Sequence, residues 1–66
     1  MKEFLTEAEL SEMIAVPMST LRWRRFVGLG PEYIKIGRSV RYPIQAVREF
    51  IASNIHIPAT LAAVED

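Results

Sequence analysis

The sequence predicts a small, mainly α-helical domain with one β-hairpin, in the order helix, helix, hairpin, helix. Three observations support this fold class: a helix-capping pattern before the first apolar helical stripe, prolines where two further helices begin, and a run of Ile, Val and Tyr interrupted by a turn. A chain of 66 residues makes one domain with a small core. We assign residues 1–54 to this domain and residues 55–66 to a C-terminal tail, either flexible or an oligomerisation segment.

The first helix is predicted from a capping box. Thr6 and Glu9 have the T-x-x-E spacing in which each side chain accepts a hydrogen bond from the other residue's backbone N–H, so we expect the helix to begin near Glu7. Apolar side chains then recur at helical spacing. The residues expected to face the core are Leu10, Met13 and Ile14, with Ala8 in support.

The second helix is predicted to run from Pro17 or Met18 to Val27 and to stop at Gly28. Proline suits the first turn of a helix and disfavours the helical conformation of the residue before it, so Pro17 separates the first two helices. Glycine adopts the left-handed conformation that ends many helices at little steric cost. Two helices joined by so short a turn form a helix-turn-helix.

Residues 33–42 are predicted to form a β-hairpin. A two-residue loop at positions 37–38 would mix apolar and charged residues on both faces, whereas a three-residue loop at positions 37–39 collects the apolar residues on one face. We therefore expect the three-residue loop. The expected pairs are Ile36 with Val40, Ile34 with Tyr42 and Lys35 with Arg41. The last pair brings together like charges, which is unfavourable unless an anion lies nearby.

A third helix is predicted to begin after Pro43 and to end near residues 53–54. Its core stripe consists of Ile44, Val47, Phe50 and Ile51. The tail that follows is either frayed or docks on the domain or on a second copy. The residues that would dock are Ile55, Ile57, Leu61 and Val64.

The composition argues against several classes of protein. There is no cysteine, and His56 is the single histidine, so we expect no metal, no cofactor and no catalysis. No apolar run approaches the roughly 20 residues that span a bilayer, and the first residues lack the apolar core of a signal peptide. We expect a cytoplasmic protein that is not an enzyme.

The charged residues are segregated along the chain, although the formal net charge is zero. Residues 22–48 contain seven basic residues and one acidic residue, Glu32, whereas residues 1–21 contain one lysine and four glutamates. We therefore expect the central segment to face phosphates and the acidic first helix to face away from them. In the alternative interpretation, the arginines only solvate the surface.

A longer pattern runs through most of the predicted domain: Leu5-Thr6, Glu9-Leu10, Val16-Pro17, Ser19-Thr20-Leu21, Arg25, Gly28, Gly30-Pro31, Tyr33, Lys35-Ile36-Gly37-Arg38, Val40-Arg41-Tyr42 and Phe50-Ile51. This pattern resembles the MerR-like winged helix-turn-helix proteins of the phage excisionase and AlpA-type regulator group. The resemblance covers residues 4 to about 53. Its most specific part is the string Gly-x-Gly-Pro-x-Tyr-x-Lys-x-Gly-Arg-x-Val-Arg-Tyr.

The resemblance implies a small protein that binds double-stranded DNA and is encoded on prophages, plasmids or integrative elements. Such proteins regulate transcription or act as excisionases, which are recombination directionality factors that bend attachment-site DNA and bias an integrase toward excision. The expected partners are double-stranded DNA, further copies of the protein on that DNA and an integrase or recombinase, with no membrane. The alternative is a protein-interaction module that uses the winged fold to bind an integrase, a polymerase subunit or a toxin.

Groove chemistry assigns DNA-binding roles to eight residues: Ser19, Thr20, Arg22, Trp23, Arg25, Lys35, Arg38 and Arg41. We expect Arg22 to make bidentate contact with guanine in the major groove, and the two hydroxyl residues at the helix start to contact phosphate or a base edge. Arg25 is expected to hold a phosphate. Arg38, at the hairpin tip, should reach the DNA backbone or minor groove, and the remaining basic residues should add phosphate contacts.

The orientation of the second helix stays open at one position. Similar proteins often carry a tryptophan one residue later than Trp23, where this chain has Arg24. On a helical wheel Trp23 lies at the border between the two faces, and a tryptophan is more often a core residue than a DNA contact. Arg24 then lies on the side of Leu21 and Val27, where its burial is costly unless the guanidinium reaches solvent or pairs with a glutamate.

Overall fold

A computed structural model describes residues 2–57 of the chain. It contains three helices and a three-stranded antiparallel sheet. In chain order the elements are β1 (Phe4–Leu5), α1 (Glu7–Ile14), α2 (Met18–Val27), β2 (Ile34–Ile36), β3 (Ser39–Pro43) and α3 (Ile44–Ser53). The three helices and the hairpin appear in the predicted order. Of the tail residues expected to dock, Ile55 and Ile57 are exposed, while Leu61 and Val64 lie outside the described residues.

The capping box at the start of α1 is confirmed. The Thr6 hydroxyl accepts a hydrogen bond from the Glu9 N–H at 3.1 Å, and the Glu9 carboxylate accepts one from the Thr6 N–H at 2.9 Å. Lys2 also binds the Glu9 carboxylate. The hydrogen bond from Lys2, and then that from Thr6, lower the pKa of Glu9 because both stabilise its charged form.

The predicted limits of α2 are also confirmed. The helix starts directly after Pro17 and ends at Gly28, whose φ of 78° lies in the left-handed region that favours glycine. The connection from α1 is only three residues long. Within it, Ala15 adopts a φ of 56°, and the Ser11 hydroxyl donates a hydrogen bond to the Val16 carbonyl at 2.6 Å. The left-handed conformation of Ala15 and this hydrogen bond hold the two helices in a short, defined turn.

The sheet contains a strand that the sequence did not predict. Strand β1 pairs antiparallel with β3, with Phe4 opposite Pro43 and Leu5 opposite Tyr42, so the strand order is β1-β3-β2. The Ile44 N–H also donates to the Glu3 carbonyl at 2.9 Å. A two-residue strand is too short to show side-chain alternation, and its hydrogen-bonding partner lies about forty positions away. No local pattern in the sequence therefore predicts strand β1.

The predicted register of the hairpin is wrong. The loop has two residues, Gly37 and Arg38, and the pairs are Ile36 with Ser39, Lys35 with Val40 and Ile34 with Arg41. The prediction required all apolar residues of the hairpin to share one buried face. In the structure β2 is an edge strand with exposed isoleucines, and Tyr42 is buried by pairing with β1 instead. The φ of 61° at Gly37 suits a two-residue turn with glycine first.

The core consists of five buried side chains, with one from each of β1, α1, α2, β3 and α3: Leu5, Leu10, Leu21, Tyr42 and Val47. Ile14, Val16, Val40 and Ile44 pack around them. Three residues predicted to be in the core are exposed: Ala8, Met13 and Ile51. So small a core has room for few side chains: α1 contributes only Leu10 to it, with Ile14 packed against it. The neighbouring apolar positions are therefore left at the surface.

Candidate nucleic-acid interface

Helix α2 presents one continuous exposed face opposite the core. Its members are Ser19, Arg22, Trp23 and Phe26, which recur at positions i, i+3, i+4 and i+7 of the helix. Leu21, on the opposite side, is buried against the core. This arrangement anchors the helix by one apolar contact and leaves a full helical face available to a partner.

Trp23 belongs to this exposed face, so the interpretation that favoured a core position is wrong. The indole is 56 % exposed. Arg24 occupies the half-buried border instead, and its guanidinium donates a hydrogen bond to the Leu29 carbonyl at 3.3 Å. Arg24 thus reaches out along the surface, which avoids the cost of burying its charge. Thr20 is exposed beside this face.

Glu7 at the start of α1 binds two of the α2 arginines. Its Oε1 atom accepts a hydrogen bond from Arg22 Nε at 2.8 Å, and its Oε2 atom accepts one from Arg25 Nη2 at 3.2 Å. The acidic first helix, which was expected to face away from phosphates, thus places one of its carboxylates against two of the basic residues expected to face them. The charge segregation along the chain says nothing about which side chains meet in space, and α1 packs directly on α2.

The two arginines differ in how freely they can reach a ligand. The Arg22 side chain is 59 % exposed, whereas that of Arg25 is 23 % exposed and that of Glu7 is 12 % exposed. The Arg25 guanidinium also lies 5.7 Å from the centre of the Tyr33 ring. Arg22 can exchange its carboxylate partner for another acceptor, while Arg25 is held between Glu7 and an aromatic ring.

Burial and the negative charge of Glu7 set the ionisation of the groups around it. Burial of the Arg25 guanidinium opposes its charge, but the hydrogen bond and ion pair with Glu7 outweigh burial and raise the pKa of Arg25. Burial also raises the pKa of the Tyr42 hydroxyl, and the charge of Glu7 raises it further. That hydroxyl donates to Glu7 Oε2 over a long distance of 3.4 Å. Glu7 thus links α1, α2 and β3 through one carboxylate.

A cleft of about 460 Å³ lies between the start of α1, the start of α2 and the hairpin tip. Its lining residues are Thr6, Glu7, Ala8, Met18, Arg22, Arg25, Arg38, Ser39, Val40 and Arg41. Four arginines from two separate parts of the sequence therefore border one concave surface, and Glu7 is the one carboxylate among its lining residues within residues 2–57. Arginines grouped in this way have the charge and the hydrogen-bond donors that suit an anionic ligand.

The basic residues of the hairpin do not all share one side. Arg38 and Arg41 are exposed and line the cleft, and Arg41 donates a hydrogen bond to the Val40 carbonyl at 2.8 Å. Lys35 is exposed, but it pairs with Val40 and does not line the cleft. Because the loop is one residue shorter than expected, Lys35 and Arg41 project from opposite faces of the hairpin, and the predicted like-charge pair does not form.

Three residues at this surface were missed at the level of sequence: Glu7, Phe26 and Tyr33. Phe26 was detectable, because it lies four positions after Arg22 and seven after Ser19 on the same helical face. The contacts of Glu7 and Tyr33 join residues that are 8 to 35 positions apart, and no local pattern encodes them.

No protein-family model matches the chain, and no curated protein sequence matches it. Within residues 2–57, no three His, Cys, Asp or Glu side chains are grouped so as to hold a metal ion. None of the helices in this range is both long and apolar enough to cross a membrane.

Proposed function

We propose that the protein is a winged helix-turn-helix protein that binds double-stranded DNA in a sequence-specific manner. The observation that carries the proposal is the exposed α2 face bearing Arg22 beside the hairpin residues Arg38 and Arg41, since all three arginines border one cleft. Helix α2 is the recognition helix in this proposal, and the hairpin is the wing. The short turn between α1 and α2 agrees with a helix-turn-helix.

An α-helix with one fully exposed face, such as α2, can enter the major groove of B-form DNA. That groove is about 12 Å wide and admits one α-helix, whose exposed side chains then read base edges. Ser19 and Arg22, in the first half of α2, are positioned to contact bases or phosphates near the helix start. Arg38 and Arg41 extend the positive surface toward the adjacent DNA backbone.

Arg22 is the residue that reads sequence in this proposal. In the free protein its guanidinium is pre-oriented by the 2.8 Å hydrogen bond with Glu7. On DNA it exchanges that carboxylate for the O6 and N7 acceptors of a guanine, which match the two parallel donors of arginine. Arg25 keeps Glu7 and Tyr33 as neighbours and contributes positive charge near the phosphates.

The biological role proposed for this DNA binding is that of a mobile-element regulator or an excisionase. The resemblance to the excisionase and AlpA-type group supports this role. A domain of this size covers about one half-site, so specificity against a genome requires several copies on DNA. Excisionase action also requires contact with an integrase or recombinase.

The test is a footprint of the purified protein on DNA from both sides of its own gene, titrated at two salt concentrations. Neutralising about five to seven phosphates predicts a steep loss of affinity as salt rises, because each neutralised phosphate releases a counterion. Several protected, phased repeats at an element boundary indicate an excisionase, and one protected site over a promoter indicates a transcriptional regulator. Absence of any salt-sensitive protection contradicts DNA binding.

Substitutions at two arginines separate base reading from phosphate contact. Arg22→Ala is expected to cost about 1–3 kcal/mol of binding free energy and to relax specificity at one position, because a bidentate base contact is lost. Arg38→Ala is expected to weaken binding to all sequences alike and to reduce the salt slope by about 1. Arg48→Ala, at an exposed position on α3, is the matched control and should bind like the parent protein. Parental binding by both Arg22→Ala and Arg38→Ala contradicts the site assignment.

A protein-interaction module is the second candidate, and one observation favours it. Apolar side chains are exposed around the end of α2, at Trp23, Phe26, Val27 and Leu29. Rising salt would weaken the binding of a protein partner at this surface less than it weakens the binding of DNA. Integrase or recombinase binding that survives high salt and is lost with Trp23→Ala or Phe26→Ala, without any DNA footprint, identifies this second function.

A further inference from the structure

Phe26 is a large apolar residue that lies almost fully exposed on α2. Its side chain is 88 % exposed, so it contributes almost nothing to the core. Trp23, one turn earlier, is also exposed. Two large aromatic side chains side by side on a solvent-facing helix are expected where a partner covers them.

The charges around these aromatic residues indicate the chemistry of that partner. Phe26 lies four positions after Arg22 on the same face, and Arg38 and Arg41 of the hairpin border the neighbouring cleft. Glu7 accepts the hydrogen bond of Arg22 Nε, but a purely apolar partner surface would offer no acceptor to the rest of this exposed guanidinium, and burying it in that way is costly. The major groove of duplex DNA offers both kinds of contact, namely guanine acceptors for the arginine and the C5-methyl groups of thymines for apolar side chains.

The spacing along α2 places the two contacts at different base pairs. Four helical residues correspond to an axial rise of about 6 Å, at about 1.5 Å per residue. Base pairs in B-form DNA are stacked about 3.4 Å apart. If the helix lies along the groove, Phe26 therefore reaches a base pair one to two steps from the guanine that Arg22 contacts.

We propose that Phe26 reads a thymine through its C5-methyl group, one to two base pairs from the guanine read by Arg22. This inference rests on the proposed DNA-binding function and adds a specificity-determining residue to it. Phe26 makes no ionic contact in this role. It is distinguished from the arginines by affecting base preference without affecting the salt dependence of binding.

The experiment uses a duplex selected from a randomised pool by the full-length protein. Each thymine of this duplex is replaced in turn by deoxyuridine, which removes only the C5-methyl group. We expect one replacement, one to two base pairs from the selected guanine, to weaken binding about four-fold, as the loss of one buried methyl group predicts. Phe26→Ala is expected to bind the thymine and deoxyuridine duplexes equally, with an unchanged salt slope.

Leu29→Ala is the matched control, since Leu29 is also an exposed apolar residue but lies beyond the end of α2. It should discriminate thymine from deoxyuridine as the parent does. Phe26→Ala removes a side chain that is almost fully exposed, so we expect the variant to keep the fold. Its circular dichroism spectrum checks this expectation.

The outcomes separate this inference from the proposed function. Salt-sensitive binding that Arg22→Ala weakens, together with unchanged thymine discrimination in Phe26→Ala, overturns the role of Phe26 and leaves DNA binding in place. If Phe26→Ala weakens binding to the thymine duplex and to the deoxyuridine duplex by the same factor, methyl recognition by Phe26 is also overturned. If the parent protein selects no duplex at all, the proposed function fails and the inference fails with it.

Discussion

Glu7 shows how one carboxylate can both stabilise the fold and restrain the proposed DNA-reading arginine. It accepts hydrogen bonds from Arg22 and Arg25 and is largely buried, while Arg22 remains exposed. An ion pair with an exposed arginine contributes little, because solvent screens it, whereas the half-buried pair with Arg25 contributes more. In the proposed complex with DNA, the carboxylate also competes with the guanine for Arg22.

Glu7→Gln is therefore expected to have opposite effects on stability and on binding. Loss of the charge is expected to reduce the free energy of unfolding by about 1–2 kcal/mol, an intermediate value because Arg25 is only partly buried. Removal of the competing carboxylate is expected to strengthen DNA binding. Urea denaturation measures the first effect, and titration of a fluorescent duplex measures the second.

Glu12→Gln is the matched control, because Glu12 is an exposed residue of the same helix. It should change the free energy of unfolding by less than about 0.5 kcal/mol. If Glu7→Gln and Glu12→Gln have the same stability and affinity, Glu7 does not hold the arginines in solution.

Among the elements, α1 depends most clearly on its first turn. The helix has only eight residues, a length at which an isolated helix is unstable in water. Its capping box satisfies two backbone N–H groups, and Leu10 and Ile14 attach it to the core. The start of this helix also positions Glu7, so the cap supports the cleft as well as the fold.

Loss of the cap is expected to destabilise the protein measurably. Thr6→Ala should reduce the free energy of unfolding by about 1 kcal/mol, because the Glu9 N–H loses its acceptor. Thr6→Ser retains the hydroxyl and should lose much less. Chemical denaturation of the three proteins at neutral pH makes the comparison. Equal destabilisation by Ala and Ser indicates that the methyl group, and not the hydroxyl, is what matters at this position.

At the scale of the whole molecule, Tyr42 connects the sheet to both of the first two helices. It is buried in the core, pairs with Leu5 of β1, and directs its hydroxyl toward Glu7. Its ring centre lies 6.2 Å from that of Tyr33, which in turn contacts Arg25. With a core of only five buried residues, the free energy of unfolding is small, so the ionisation of one of them affects the stability of the entire domain.

The raised pKa of Tyr42 predicts how stability changes at alkaline pH. Burial, and then the charge of Glu7, favour the neutral hydroxyl in the folded state, so the folded pKa lies above the unfolded value near 10. The contribution of neutral Tyr42 is complete below pH about 10 and is lost as pH rises through the folded pKa. Urea denaturation between pH 8 and 11 should therefore show falling stability.

Tyr42→Phe is expected to be the less pH-sensitive protein in this range. Phenylalanine cannot ionise, so the part of the alkaline loss that belongs to Tyr42 disappears in this variant. The same decline in both proteins indicates that Tyr42 does not ionise differently in the folded and unfolded states.

Local signals were sufficient to predict the helices of this protein. The Thr6–Glu9 capping box, Pro17, Gly28 and Pro43 each act on backbone atoms within a few residues, so the helix limits could be derived without knowledge of the fold. The exposed face of α2 could be derived for the same reason, apart from the border position shared by Trp23 and Arg24 and apart from Val27, which was placed on the side of Leu21 but is exposed.

Tertiary packing alone decided strand β1, the hairpin register and the contacts of Glu7. Strand β1 covers one edge of β3 and buries Tyr42. The hairpin therefore does not depend on having all its apolar residues on one face, and it adopts the register with the two-residue loop. Glu7 reaches residues 15, 18 and 35 positions further along the chain. These choices depend on which distant segments compete for the same small core, and that competition is resolved only when the chain is folded.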